Sequence, residues 1–204
     1  NLQQVAPQFA KGGASSAGTL SDKQLCFGTV SKGLPSGDFR VQGWQPGAGE
    51  QHEVWVHNSI AQVFELSIDD LVAFRVHINK QGQPQASAPI WKMVGIIKER
   101  EHISFGEYIG QISRVLPNGL AFIDCADVKF AHGGDAAVHA AIMQECGLSV
   151  GDVVAFNLHV SDAGKIWMSA PCWKCCSAEK WNAQLEAFKM QMAGMEPPQK
   201  KVRM

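Results

Sequence analysis

Two runs, LVAFRVHI (71–78) and VVAFNLHV (153–160), partly alternate apolar and polar positions, the pattern of a half-buried β-strand. Each is followed by a turn-like stretch ending in glycine, NKQG with Gly82 and SDAG with Gly164, as a hairpin needs. Gly37 and Gly119 close two further turns, LPSG and LPNG. The pattern predicts strands near 27–32, 38–43, 53–58, 70–78 and 83–88. The same five are then expected again 82 residues further along.

That spacing is a sequence repeat. GTVSKGLPSGDFRV (28–41) aligns with GQISRVLPNGLAFI (110–123), and VWVHNSI (54–60) with AAVHAAI (136–142). LSIDDLVAFRVHINKQG (66–82) aligns with LSVGDVVAFNLHVSDAG (148–164), and SAPIWKM (87–93) with SAPCWKC (169–175). Every pair has the offset 82, with no gap. Solenoid repeats run about 20–50 residues, so this period indicates a duplicated domain. The copies span 26–93 and 108–175, joined by 94–107, and residues 1–25, with KGGASSAG, read as a flexible arm.

Past the second copy the period changes. Trp181, Leu185, Phe188 and Met192 recur at i, i+4, i+7 and i+11, one face of a helix. An amphipathic helix is expected over 178–193, with Ser177 as its N-cap and Pro197 and Pro198 beyond its end. The whole is therefore expected to be all-β, two tandem five-stranded barrels followed by a C-terminal helix and tail (176–204).

Composition narrows the function. The 204 residues suit two domains of about 100 each. With net charge −1 and a pI near 6.7, the chain lacks the global basic footprint of a duplex-DNA binder. No apolar stretch is long enough for a transmembrane helix. There is no Ser/His/Asp order, no paired carboxylate site and no phosphate-cradling glycine loop, so no enzyme is expected.

The repeated motifs resemble a family. GTV (28–30), Gly37 before DFRV, VWVH (54–57), DDLVAF (69–74) and GQPQA (82–86) are similar, in order and spacing, to a cold-shock domain. Looser counterparts follow in GQI (110–112), Gly119 before LAFI, AAVH (136–139), GDVVAF (151–156) and GKIWM (164–168). The resemblance implies OB-type barrels that bind single-stranded RNA or DNA by stacking bases on exposed aromatics. Both copies depart from the family's aromatic set. Its first-strand tryptophan falls on Lys32 and Arg114, and its second-strand aromatics on Asp38 and Arg40, then Leu120 and Phe122. Its third-strand aromatic falls on Trp55 and Ala137, and its histidine on His57 and His139. The resemblance thus implies a nucleic-acid-binding set of Lys32, Arg40, Trp55, His57, Arg114, Phe122 and His139. With Val41 and Ile123 pointing inward, Phe39 and Ala121 are expected to be core residues.

Two functions follow as expectations. The first is single-stranded nucleic-acid binding, RNA ahead of DNA, without catalysis. The second is an architectural subunit of a large complex, an organellar one included, whose barrels bind protein. Its contacts would come from the C-terminal helix (Trp181, Leu185, Phe188, Met192) and the N-terminal arm. A third, redox or zinc regulation, rests on the run C-W-K-C-C (172–176) alone. Ile90 and Met93 occupy the matching places in the first copy, which favours packed roles for Cys172 and Cys175. Neither a metal nor a cofactor is expected. Cys26, Cys125 and Cys146 read as small core residues, and His77 and His159 as surface strand residues.

Overall fold

The computed structural model describes residues 20–95 and 103–177. The protein is mostly β, with few helices. In the first half, β1 (Leu25–Gly33), β2 (Phe39–Trp44) and β3 (Gln51–Val56) form an antiparallel meander. A short helix α1 (Asn58–Val63) leads to β4 (Leu71–Ile78) and β5 (Pro84–Met93). β4 pairs with β1 and β5, and β5 meets β3 in parallel at Trp55↔Gln85. The pairings β1–β2–β3–β5–β4–β1 close a five-stranded barrel.

The alternation seen in sequence fills this barrel. Val30, Val41, Val54, Val56, Val72 and Phe74 are fully buried inside it. Phe39 packs against the same core. Gly28 sits on β1 opposite Gly43 of β2. A Cβ there would press into Val41 and come within 2.8 Å of the Gln42 carbonyl oxygen. Before β1, Leu20 lies against the core, and Gln45 ties down Ser21, accepting its N–H at 2.8 Å and donating to its carbonyl at 2.6 Å.

The second half repeats the strand order. It comprises β6 (Tyr108–Val115), β7 (Ala121–Asp124), helix α2 (Ala126–His132) and β8 (Ala136–Val138). Helix α3 (Ala140–Glu145), β9 (Asp152–Val160) and β10 (Ile166–Ser177) complete it. β6 pairs with β7 and β9, β7 with β8, and β10 with β9 and, at Trp167↔Ala137, with β8. Its core centres on Ile112, Ile123, Val138, Val154 and Phe156, with Ala121 also buried. Gly110 matches Gly28: a Cβ there would meet Ile123 Cγ2 at 2.5 Å.

The repeated SAPxWK phrase is where the halves meet. β5 and β10 run on through it and pair antiparallel, Trp173 opposite Met93 and Lys174 opposite Lys92. Trp173, from the second half, is buried in the first half's core, with its ring 5.6 Å from Phe27 and 5.9 Å from Phe105. Its indole N–H donates to the Ser104 carbonyl at 2.9 Å. Phe105 also meets Trp91 edge-on at 5.2 Å, so a residue of the joining segment sits between the two repeated tryptophans.

Two lysines face each other across this pair, which like charges alone would disfavour. Each is engaged by its own half. Lys92 Nζ lies 2.8 Å from Asp70 and donates to the Glu65 carbonyl at 2.9 Å. Lys174 Nζ lies 2.7 Å from Asp152 and donates to the Gly147 carbonyl at 3.1 Å. Both aspartates also accept the N–H of a serine three residues back, Ser67 or Ser149. The repeated LSxxD and WK motifs are thus halves of one clamp.

The expected helix over 178–193, with Trp181, Leu185, Phe188 and Met192, lies outside the described residues, as does the arm up to residue 19. Among the described residues no helix is long and apolar enough to cross a membrane.

Candidate nucleic-acid interface

Strand register brings five of the expected site residues into two matching rows. In the first half Lys32 pairs with Arg40, Arg40 with Trp55, and Trp55 with Gln85. Paired residues on neighbouring strands project to the same side, so these four line one outer face, opposite the buried valines. In the second half Arg114 pairs with Phe122, Phe122 with Ala137, and Ala137 with Trp167. The rows continue one strand further, to His77 beside Gln85 and His159 beside Trp167.

The second row holds an aromatic that the sequence reading missed. Where the first half has Trp55 and Gln85, the second has Ala137 and Trp167. The indole has moved to the next strand of the row, and its histidine partner has stayed. Trp55 meets His57 edge-on, with centroids 5.7 Å apart and planes at 71°. Trp167 stacks on His139 at 3.9 Å and 2°. The reciprocal exchange at positions 55/85 and 137/167 was visible in the repeat, but only the strand register shows that those positions are neighbours.

The histidines also start helices, and they do so differently. His57 is the N-cap of α1, and its ring nitrogen accepts the Ser59 N–H at 3.2 Å while facing Ser59 Oγ at 2.8 Å. His139 is the N-cap of α3 but makes no side-chain capping bond. Its ring lies flat on Trp167 instead.

Charge is partly neutralised on both rows. Arg40 lies 3.5 Å from Glu53. Asp38 holds its charge through local donors: the Ser36 hydroxyl at 2.7 Å holds its carboxyl below the usual carboxylate range, aided by the Asn58 N–H, nearby His57 and Trp55. The Arg114 guanidinium lies 4.3 Å from the Phe122 ring centroid and 3.8 Å from Asp135. Lys129 on α2 bridges Asp124 at 2.7 Å and Asp135 at 3.2 Å. Lys32 is exposed, so it presents its charge to solvent.

Sequence searches find no family model and no curated protein that matches this chain. The reading of the surface therefore rests on its own geometry. That geometry offers flat ring faces beside cations in both halves: Trp55 and His57 with Arg40 and Lys32, and Trp167, His139 and Phe122 with Arg114. Such a surface can stack planar groups and meet anions at its edge.

The cysteine run divides between two cores. Cys172 packs in the second half and Cys175 in the first, so they do not act as one CxxC unit. Cys172 instead shares a cavity wall with Cys146, next to α3. The interaction of the two thiols pulls Cys146 below its ordinary pKa and, with burial, pushes Cys172 far up. Cys26, buried in the first core, is pushed up to about 12 by desolvation. Among the described residues no three or more His, Cys, Asp or Glu side chains gather to hold a metal ion.

Proposed function

We propose that residues 26–93 and 108–175 form two tandem OB-type barrels of the cold-shock kind. We further propose that their outer rows bind single-stranded nucleic acid, RNA in preference to DNA, without catalysing a reaction. The observation that carries this reading is the repeated row that runs from a cation to a Trp–His pair. It recurs in both halves although the tryptophan has changed strand. Packing does not require this recurrence, because these side chains lie outside the cores. The strand order 1-2-3-5-4-1 of the first barrel supports the OB assignment, since such barrels bind oligonucleotides across strands 2 and 3. Stacking contributes about 1–3 kcal/mol per base by alanine substitution, enough for useful affinity from few contacts at near-zero net charge.

Fluorescence anisotropy with short random-sequence RNA and DNA, at low and physiological salt, tests the reading. Saturable binding to single strands with a shallow salt dependence is expected, since few free cations line the rows. Absence of binding at low salt contradicts it.

One observation favours the protein-binding alternative, an architectural subunit. Phe130 on α2 is 95 % exposed, and its neighbour Lys129 is neutralised by Asp124 and Asp135. Native purification that recovers the chain in a large particle free of nucleic acid would select that reading.

A further inference from the structure

Between α3 and β10 lies a cavity of about 110 Å³, lined by Cys146, Cys172, Met168, Ile142, Gly95 and Glu145 among others. It is large enough for more than one water molecule, and three of its lining residues carry sulfur, beside Ser169 and Glu145. The repeat shows what this place looks like when it serves packing alone. At the positions 82 residues earlier stand Phe64, Ala86 and Ile90, all buried in the first half's closed core. All three have become sulfur-bearing residues in the second half, where Cys146, Met168 and Cys172 are likewise buried. Replacing Phe64 by the smaller Cys146 opens space that Met168 does not fill, and an unfilled cavity costs stability. A single thiol in a core needs no explanation. Three sulfurs placed together around a retained cavity do.

Both cysteines line the same cavity. Both crowd Gly95, where a Cβ would lie 3.0 Å from Cys172 Cβ and 3.6 Å from Cys146 Sγ. The backbone N–H groups of Val94 and Gly95 donate to the Cys172 carbonyl and fix that wall. Glu145, at the exposed rim, offers an entering cation its first contact.

We propose that Cys146, Cys172 and Met168 form a site for a soft monovalent metal ion, Cu(I). The ion is held by two thiolates and one thioether. Soft thiolate and thioether donors select Cu(I) over the harder divalent ions. On binding, each thiol releases its proton to solvent, two S–Cu bonds replace two S–H bonds, and the Met168 thioether adds a third contact. No electron is transferred. A disulfide between the cysteines would use neither Met168 nor the cavity.

The test is an anaerobic titration of the reduced full-length chain with Cu(I), buffered by a competing chelator. Cys146→Ser, Cys172→Ser, Met168→Leu and the control Cys26→Ser are run beside it. The wild type and the control are expected to take up one tight Cu(I) equivalent that both site serine variants lose. Met168→Leu is expected to keep the stoichiometry but bind about tenfold or more weakly. Equal uptake by Cys146→Ser, or unchanged affinity in Met168→Leu, overturns the site.

A second measurement on the wild type does not depend on the variants folding. Ag(I), a redox-inert surrogate, should slow alkylation of Cys146 and Cys172 and leave Cys125 unaffected. Equal rates with and without Ag(I) overturn the proposal, as does disulfide formation in place of ion uptake.

Discussion

Trp173→Ala should uncouple the two halves. The ring is fully buried and contacts Phe27 and Phe105, and its indole N–H is satisfied by the Ser104 carbonyl. Truncating such a residue costs about 3–5 kcal/mol, the spread reflecting how far the site collapses. That is a large share of the roughly 5–15 kcal/mol that holds a typical fold together. Trp173→Phe keeps most of the ring contacts but leaves the Ser104 carbonyl without its donor, a loss of about 1 kcal/mol. Urea unfolding followed by far-UV circular dichroism and by intrinsic fluorescence measures both. The wild type is expected to unfold in one transition. Trp173→Ala should unfold earlier, with the two probes separating as the halves melt apart. A loss below about 1 kcal/mol in Trp173→Ala would refute the reasoning, because no fully buried, hydrogen-bonded indole is that cheap to remove.

Lys174→Met should cost about 3 kcal/mol in the same assay, because it strands Asp152, which is only 2 % exposed. Lys92→Met should cost about 1 kcal/mol, since Asp70 remains 21 % exposed and can rehydrate. Gly28→Ala and Gly110→Ala should each lose about 1–3 kcal/mol by forcing a methyl group into the facing strand. Gly134→Ala meets only Ile166 Cδ1, at 3.8 Å, and should be neutral or gain up to about 1 kcal/mol, read as a shift in urea midpoint. With iodoacetamide in the absence of metal, Cys146 should be modified before Cys172, because the interaction between them favours the Cys146 thiolate. The reverse order, read by peptide mass spectrometry, would contradict that pairing.

The strand plan was legible in the sequence because hairpin alternation is local. The observed strands overlap the expected ones in order, and the 82-residue offset carries through to the pairings. β5 and β10 extend further than alternation alone indicated, since SAPIWKM and SAPCWKC go on to pair with each other where the halves meet. The helices α1, α2 and α3 went unseen. Each spans less than two turns, too short for a 3.6-residue period to emerge. Of the site, five of the seven expected residues fall on two continuous rows and the other two, His57 and His139, cap the helices beside them, but Trp167 did not register as their partner. Its place beside Ala137 depends on one parallel bridge between strands distant in sequence. The Cys146–Cys172 pairing was hidden for the same reason, while the adjacent cysteines of the run drew the eye to a grouping that packing separates.

The most direct test of the central claim is the affinity for single-stranded RNA of Trp55→Ala, Trp167→Ala and the double variant, measured by anisotropy at fixed salt. If both rows stack bases, each single change should weaken binding about 5- to 150-fold, and the double change more than either. Unchanged affinity in the double variant, with the fold intact by circular dichroism, would contradict it.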